Sequence, residues 1–413
     1  MSSAEYNPQD IYPPLIAATL LYVLGIYCSI NKRLFPYRNI PTPFTLYAVF
    51  KTCTACSLNP SPVNSGANFM IGTYACDFAL RLFAVATLSQ PLKKKSEVDC
   101  PRSSILSFRQ LLDTIDCILD MRGLDWNLGY GFYLPPDTRS SSSLSSFLVD
   151  SVILFLKYNL IWIVAYSLVL SIGTVTHPGG GTIFVWTRIP FPFGGIPIPP
   201  FITAFYATAF LGVVMYCMME VEHLLLTFLI APFYANPAKS WPVLYGNPLR
   251  ATSVHDFWSH QWHGNFRYAF CATGGVLGWK IGGRVGAVLG VFLVSGILHD
   301  IGVWCMGQGT KPLYVTGYFL LQGIIVTLEK AFDIDIWIEF PDTKSSQKFA
   351  LKASITRHKK GTRIIRKNSL ANNGLGSLWT LFWVVAPGTL MIDLWTRRGV
   401  YALNSDVRAK LGL

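Results

Sequence analysis

Gly282-Gly283-Arg284-Val-Gly286-Ala-Val-Leu-Gly290-Val-Phe-Leu-Val-Ser295-Gly-Ile-Leu-His299-Asp300-Ile-Gly302-Val-Trp-Cys305-Met306 is a run of apolar and small residues with no charged side chain between Val285 and Leu298. A helix needs about 20 such residues to cross a hydrocarbon core of about 30 Å. A second apolar block, 266–282, precedes it directly. One helix over 266–306 would be too long for a single crossing, so a break near Gly282-Gly283-Arg284 is expected. Gly274, Gly278, Gly282, Gly286 and Gly290 recur every fourth residue. Helical spacing puts them on a shared face, for close helix contact or as a slot for a thin substrate chain.

The same blocking runs through the whole chain. Its 413 residues are 51% hydrophobic and 14% charged, whereas an ordinary soluble domain is about 25% charged. Further apolar blocks fall at 11–30, 42–58 (interrupted by Lys51), 68–89, 148–175, 201–235, 313–331 and 375–396. The 201–235 block exceeds one crossing and is expected to tilt or to break near Pro232. The fold expected is all-α: one polytopic membrane domain over 1–413 with about eight or nine transmembrane helices. Glu5 and Asp10 precede the first block while Lys32, Arg33 and Arg38 follow it, which by the positive-inside rule puts the N-terminus in the lumen, expected to be that of the endoplasmic reticulum. Segments 90–146 and 332–374 then read as extramembrane loops on the cytosolic side. The second carries nine Lys and Arg between Lys344 and Lys367. Three blocks in 266–331 conflict with that side, so one of them is expected to be re-entrant or partial.

The net charge of +12 lies between the apolar blocks without aromatic interleaving, which excludes nucleic acid as a partner and points to anionic lipids or a phosphate-bearing cosubstrate. Nine cysteines, an odd number and mostly inside apolar blocks, argue against a disulfide framework. Cys53-Thr-Ala-Cys56 has no second pair to complete a zinc site and reads as helix packing. The first apolar block is too long for a cleaved signal and reads as a permanent span.

Three of the seven histidines fall in Asn247-Pro-Leu-Arg250-Ala-Thr-Ser253-Val-His255-Asp256-Phe-Trp258-Ser-His260-Gln-Trp262-His263. If Ser253 caps a helix, Asp256, His260 and His263 share one face, with Trp258 and Trp262 as a neighbouring aromatic pair. Asp256 three residues after Ser253 also suits a cap, where a carboxylate meets the positive end of the helix dipole. His299 closes the run quoted above, with Asp300 beside it and Ser295 one turn back. An ionisable group in such a place is expensive, and the expectation is that it works. Glu220 and His223 interrupt another block in half of a two-metal pattern that no second Glu-x-x-His completes. Asp77 and Arg81, four residues apart, are expected to neutralise each other.

Ala251-Thr252-Ser253-x-x-Asp256-Phe257-Trp258-x-x-x-Trp262-His263 followed by Ser295-Gly296-x-x-His299 resembles the wax-synthase branch of the membrane-bound O-acyltransferases. Within it the chain is most similar to fungal acetyltransferases of secondary metabolism. The resemblance is close over 244–306; elsewhere only hydropathy agrees. It implies transfer of an acyl group, acetyl for the fungal enzymes, from acyl-CoA to a hydroxyl of a hydrophobic acceptor such as a terpenoid. It implies His299 as a catalytic residue, and His263 at the position where the wider superfamily carries Asn. Acetyl-CoA is then a cosubstrate rather than a permanently bound cofactor, and no metal is implied.

The chemistry agrees with the residues. A hydroxyl attacking a thioester needs a base, and imidazole titrates near neutrality. The thioester carbonyl needs a donor, a role open to His263. Asn247, Arg250, Asp256, Trp258, Trp262 and Ser295 are the substrate-binding candidates around the two histidines. Arg250, Arg267 and Lys280 are cations that could meet the CoA phosphates or simply set topology. Rival readings are a long-chain wax-ester or sterol acyltransferase, a membrane di-iron desaturase or hydroxylase suggested by the histidine spacing, and a transporter.

Overall fold

Proline starts several of the helices, because its ring fixes a helical φ at positions whose N–H has no partner within the helix. It stands in the first turn of α1 (Tyr12–Ile30), α2 (Pro41–Leu58) and α6 (Pro200–Ile230). The other long elements are α3 (Ser65–Ala86), α4 (Phe108–Leu119) and α5 (Leu144–Leu170). Short turns α7 (Pro237–Ser240), α8 (Val254–Asp256) and α9 (Arg267–Phe270) precede α10 (Val276–Cys305), α11 (Thr316–Ala331) and α12 (Leu375–Arg397). One pair of two-residue strands, β1 (Thr187–Arg188) and β2 (Pro197–Ile198), is antiparallel, with Thr187 opposite Ile198. The computed structural model describes residues 8–60, 64–95, 108–128, 133–188 (171 and 173 excepted), 195–234, 236–332 and 374–403.

The described residues form two compact units. The first takes in those up to 128 and 264–328; the second takes in 133–263, 329–332 and 374–403.

In the first unit α1, α2 and α3 pack on one another and α10 packs on α2 and α3. Helix α3 is buried along most of its length, which makes it the centre of this unit. Helix ends are closed by cations, favourable partners for C-terminal carbonyls. Arg38 donates to Ala86 O at 3.1 Å and Leu88 O at 2.7 Å beyond α3. Arg81, inside α3, donates to Cys117 O and Ile118 O at the end of α4, at 3.0 and 3.1 Å. Asp77 and Arg81 do interact through their charges, as expected, but share no hydrogen bond: the guanidinium donates to carbonyls, and both buried Asp77 oxygens lack a hydrogen bond. Cys53 and Cys56 are buried in α2, and Cys305 Sγ points at Cys53 O at 3.8 Å.

In the second unit α5 and α12 both pack on α6. Little of α5 is buried: Val149, Ile153, Leu156, Leu160 and Ile163 are exposed, as a lipid-facing helix requires. Arg139 fixes the chain before α5: it grips Asp137 at 2.7 Å and donates to Trp241 O at 2.8 Å. Hydroxyls inside the apolar helices satisfy themselves on carbonyls four residues back, as Thr52, Ser151, Thr227 and Thr396 do.

Six helices among the described residues are long and apolar enough to cross a membrane, against eight or nine expected, and the protein is an integral membrane protein. The difference has three physical sources. Helix α2 exists over its full expected length but carries exposed Lys51, α11 has only 16 residues, and Arg267–Cys305 counts as one stretch. That stretch is bent double. Gly282 and Gly283 leave the helical region, Gly283 with φ 58° and ψ −137°. The two legs run back along each other: a Cβ at Gly278 would overlap Gly286 O, and one at Gly274 would overlap Gly290 O. The glycine ladder serves backbone contact between the legs, with no slot left between them. The 201–235 block likewise ends as a helix at Ile230 and passes into a tight turn holding Pro232. Most of 332–374 and parts of 90–146 lie outside the described residues.

Candidate active site

Polar groups in α6 place the start of the motif. His223 stacks on Trp241 with centroids 5.0 Å apart and donates from Nε2 to Pro242 O at 3.1 Å. Trp241 Nε1 donates to the Thr227 hydroxyl at 2.9 Å. Glu220, 1% exposed, accepts the Tyr245 N–H at 3.2 Å. These ionisable residues, read from sequence as half of a metal pattern, instead hold 241–245 in place. Tyr245 in turn sets its ring edge-on against Trp262 at 5.2 Å and His263 at 5.5 Å.

The next turn is closed by side chains. Asn247 N donates to Gln261 Oε1 at 2.7 Å, while its own Oδ1 accepts Leu249 N at 3.2 Å. Gly246 lies so close to His260 O and Gln261 that a Cβ would collide with both. Arg250 ends this turn exposed.

Ser253 caps α8 as expected, its Oγ accepting Asp256 N at 2.9 Å. Asp256 accepts from His260 Nδ1 at 3.1 Å and Gln261 Nε2 at 3.3 Å on Oδ1, and from Thr252 N at 3.4 Å on Oδ2. The shared face stops there. Residues 257–261 form a wider π-turn and the chain leaves the helix at Trp262, with ψ 156°, so His263 is not on the Asp256–His260 face. Trp258 and Trp262 do pair, at 6.0 Å, and Trp262 lies over Phe257 at 5.3 Å. The Tyr133 ring stands edge-on to His260 at 4.7 Å. Burial, followed by the Asp256 charge, raises the Tyr133 pKa.

Sequence reasoning missed Glu329. Its carboxylate, 1% exposed, accepts Val254 N at 2.7 Å, His255 N at 2.8 Å and Trp379 Nε1 at 2.8 Å. It thereby ties the first turn of the motif helix to α11 and α12. Its signal in the sequence was a carboxylate near the end of an apolar block.

His299 sits in the first unit, on the returning leg of the hairpin. Nδ1 donates to the Ser295 carbonyl at 2.7 Å. A carbonyl can only accept, so in the neutral ring the proton is on Nδ1 and the lone pair on Nε2. The ring stacks on Phe319 at 4.4 Å, with Phe69 at 6.3 Å. Ser295 thus serves through its backbone. Asp300 turns to α11 and accepts from the Thr316 hydroxyl at 3.3 Å. Gly296 lets α11 approach, since a Cβ there would lie 2.7 Å from Thr316 Cα. Lys280 and Arg284 are exposed beside the hairpin turn. Among the described residues no group of three His, Cys, Asp or Glu is arranged to hold a metal ion.

Every candidate residue, from Asn247 to His299, lies in one segment that is found in other proteins. Residues 241–321 match the membrane bound O-acyl transferase family. Within the same similarity stand an uncharacterized membrane protein of Schizosaccharomyces pombe, 26% identical over 124 residues, covering 29% of this chain and 33% of the relative; the acetyltransferase spyB of Aspergillus fumigatus, 29% identical over 101 residues, 22% of this chain and 17% of the relative; and a probable long-chain-alcohol O-fatty-acyltransferase of Arabidopsis thaliana, 30% identical over 109 residues, 24% of this chain and 31% of the relative. The chain thus spans a third or less of the length of these relatives. No solved structure matches it.

Proposed function

We propose that this membrane protein is an O-acyltransferase that moves an acetyl group from acetyl-CoA to a hydroxyl of a hydrophobic small molecule, such as a terpenoid. The observation that carries this reading is the His299 ring: Nδ1 is held by Ser295 O, and the Nε2 lone pair remains among aromatic side chains. In the proposed step Nε2 takes the acceptor's hydroxyl proton as its oxygen bonds to the thioester carbon. The C–S bond then breaks, and the imidazolium returns the proton to the CoA thiolate. His263 is assigned the donor to the thioester carbonyl, at the position where the family resemblance implies an amide. With its proton given to the Ser295 carbonyl, His299 Nδ1 is not free to take a proton from the Ser295 hydroxyl, which supports direct transfer without an acyl-enzyme. The acetyltransferase name of the Aspergillus relative supports acetyl. We assign the protein to the endoplasmic reticulum membrane, and positive-inside counting supports a lumenal N-terminus, with acyl-CoA arriving from the cytosol.

A second reading has its own support. The Arabidopsis relative is named for long-chain alcohols and fatty acyl groups, so a long-chain donor and acceptor form the alternative. Microsomes containing the protein, incubated with radiolabelled acetyl-CoA or palmitoyl-CoA and a panel of terpenoid, polyketide and long-chain alcohols, separate the two. Labelled acetyl esters of a cyclic alcohol are expected. Labelled wax esters alone would replace the first reading with the second, and labelled ester with neither donor would overturn both.

A further inference from the structure

Helix α4 is turned outside in. Gln110, Asp113, Thr114 and Cys117 are buried, whereas Phe108, Leu111, Leu112, Ile115 and Leu119 are exposed, Phe108 by 76% and Leu112 by 50%. The five apolar positions are spaced for one helix face. The polar face is held within the first unit. Asn31 Nδ2 donates to Gln110 Oε1 at 2.8 Å and Gln110 Nε2 donates to Tyr27 O at 3.2 Å, which seats α4 on the last turn of α1. Lys94 Nζ bridges Asp113 at 3.2 Å and Asp116 at 3.0 Å. Arg81 holds the far end, as described above.

Two further features say what covers the apolar face. Helix α1 carries its own exposed stripe, Ile16, Leu20 and Leu24, which as part of a membrane-crossing helix faces lipid. Helix α4 lies where that stripe ends. Around this end stand exposed Lys32, Arg33 and Arg109. A protein interface carries a polar rim that pairs with its partner's, whereas here Gln110, Asp113 and Asp116 of α4 are turned inward and the groups left beside the apolar face are the cations just named, the charge that an anionic lipid surface takes.

We propose that α4 lies in the plane of the membrane, its apolar face sunk into the headgroup–acyl boundary of the leaflet in which α1 ends, with Lys32, Arg33 and Arg109 meeting anionic lipid headgroups. Part of the 90–146 segment, expected as a cytosolic loop, is then a membrane-surface element.

The test uses the full chain in nanodiscs of phosphatidylcholine containing a minor share of phosphatidylserine. The photoreactive residue p-benzoylphenylalanine replaces Leu112 in one variant and Ile115 in another, both exposed positions that tolerate a bulky ring. After irradiation, mass spectrometry identifies the adducts. The expected products are lipid adducts at both positions, with phosphatidylserine over-represented about two-fold or more against its share. The double substitution K32Q/R33Q is expected to lower that over-representation while lipid adducts persist. Adducts to a second copy of the chain, or to residues 96–107 of the same chain, would overturn the membrane seat. Lipid adducts that follow the bulk composition would overturn the anionic preference.

Discussion

Glu329 Oε1 accepts the backbone N–H of Val254 at 2.7 Å, 75 residues back along the chain. With His255 N and Trp379 Nε1 on the same carboxylate, removal of the side chain strands three donors. Each buried donor left unsatisfied costs about 1–3 kcal/mol. Glu329→Ala is therefore expected to lower the thermal midpoint in detergent clearly. Glu329→Gln keeps one acceptor oxygen and is expected to fall between that variant and the wild type. Equal midpoints for Ala and wild type would show that α8 is held by other means.

The orientation of His299 gives a sharper kinetic prediction. His299→Ala removes the base, a contribution of about 10²–10⁴-fold. His299→Asn restores a donor near the Nδ1 position, facing Ser295 O, but supplies nothing at Nε2. Both variants are expected to be equally slow in acyl transfer while remaining folded by size exclusion. An active Asn variant would refute the assignment of Nε2 as the base.

Along the glycine ladder, position decides the outcome. Gly278→Ala would drive a methyl group into Gly286 O, whereas Gly282 has nothing within 4 Å of the same position and a negative φ. Overpacking costs about 1–3 kcal/mol where the surroundings cannot yield, and here the obstacle is backbone. The expected result is a low folded yield for Gly278→Ala and a near-normal one for Gly282→Ala. Similar yields would mean that the legs can separate without cost.

Asp120, just beyond α4, supplies a pH dependence. Burial pushes its pKa up to about 6, against the opposing pull of the Asp125 N–H and of Arg122. A carboxyl raised in the folded state contributes stability that is fully present below its unfolded pKa of about 3.9 and is lost as pH rises through about 6. Asp120→Asn keeps the neutral form at every pH. It is expected to be more stable than the wild type at pH 7.5, by on the order of 3 kcal/mol, with the gap closing toward pH 4. Thermal midpoints across that range check it; a less stable Asn variant at pH 7.5 would mean that the fold needs the charge.

What the sequence made legible was local. The Ser253 cap needs three residues, the break at Gly282-Gly283 needs two, and His299 stands out because no charged side chain lies between Val285 and Leu298 before it. The helical face drawn through Asp256, His260 and His263 failed at its last member, since Phe257–Gln261 widens into a π-turn that spacing alone does not announce. Glu329 and Arg81 could not be placed, because their partners are distant in sequence and, Trp379 apart, are backbone groups, which carry no residue-type signal. The stripe in α4 was a different kind of miss: its 3–4 periodicity was present in residues 108–119, inside a segment judged by its charge.

The hairpin bears on how the protein is made. Each leg's glycine face is finished only by the other, so the leg that leaves the ribosome first carries a bare ridge of backbone until the second has emerged. A single leg is therefore an incomplete object for the insertion machinery, and the pair is the smallest piece of this region that can be delivered to the bilayer. His299 rides on the later leg, so the proposed catalytic base arrives only as the hairpin closes.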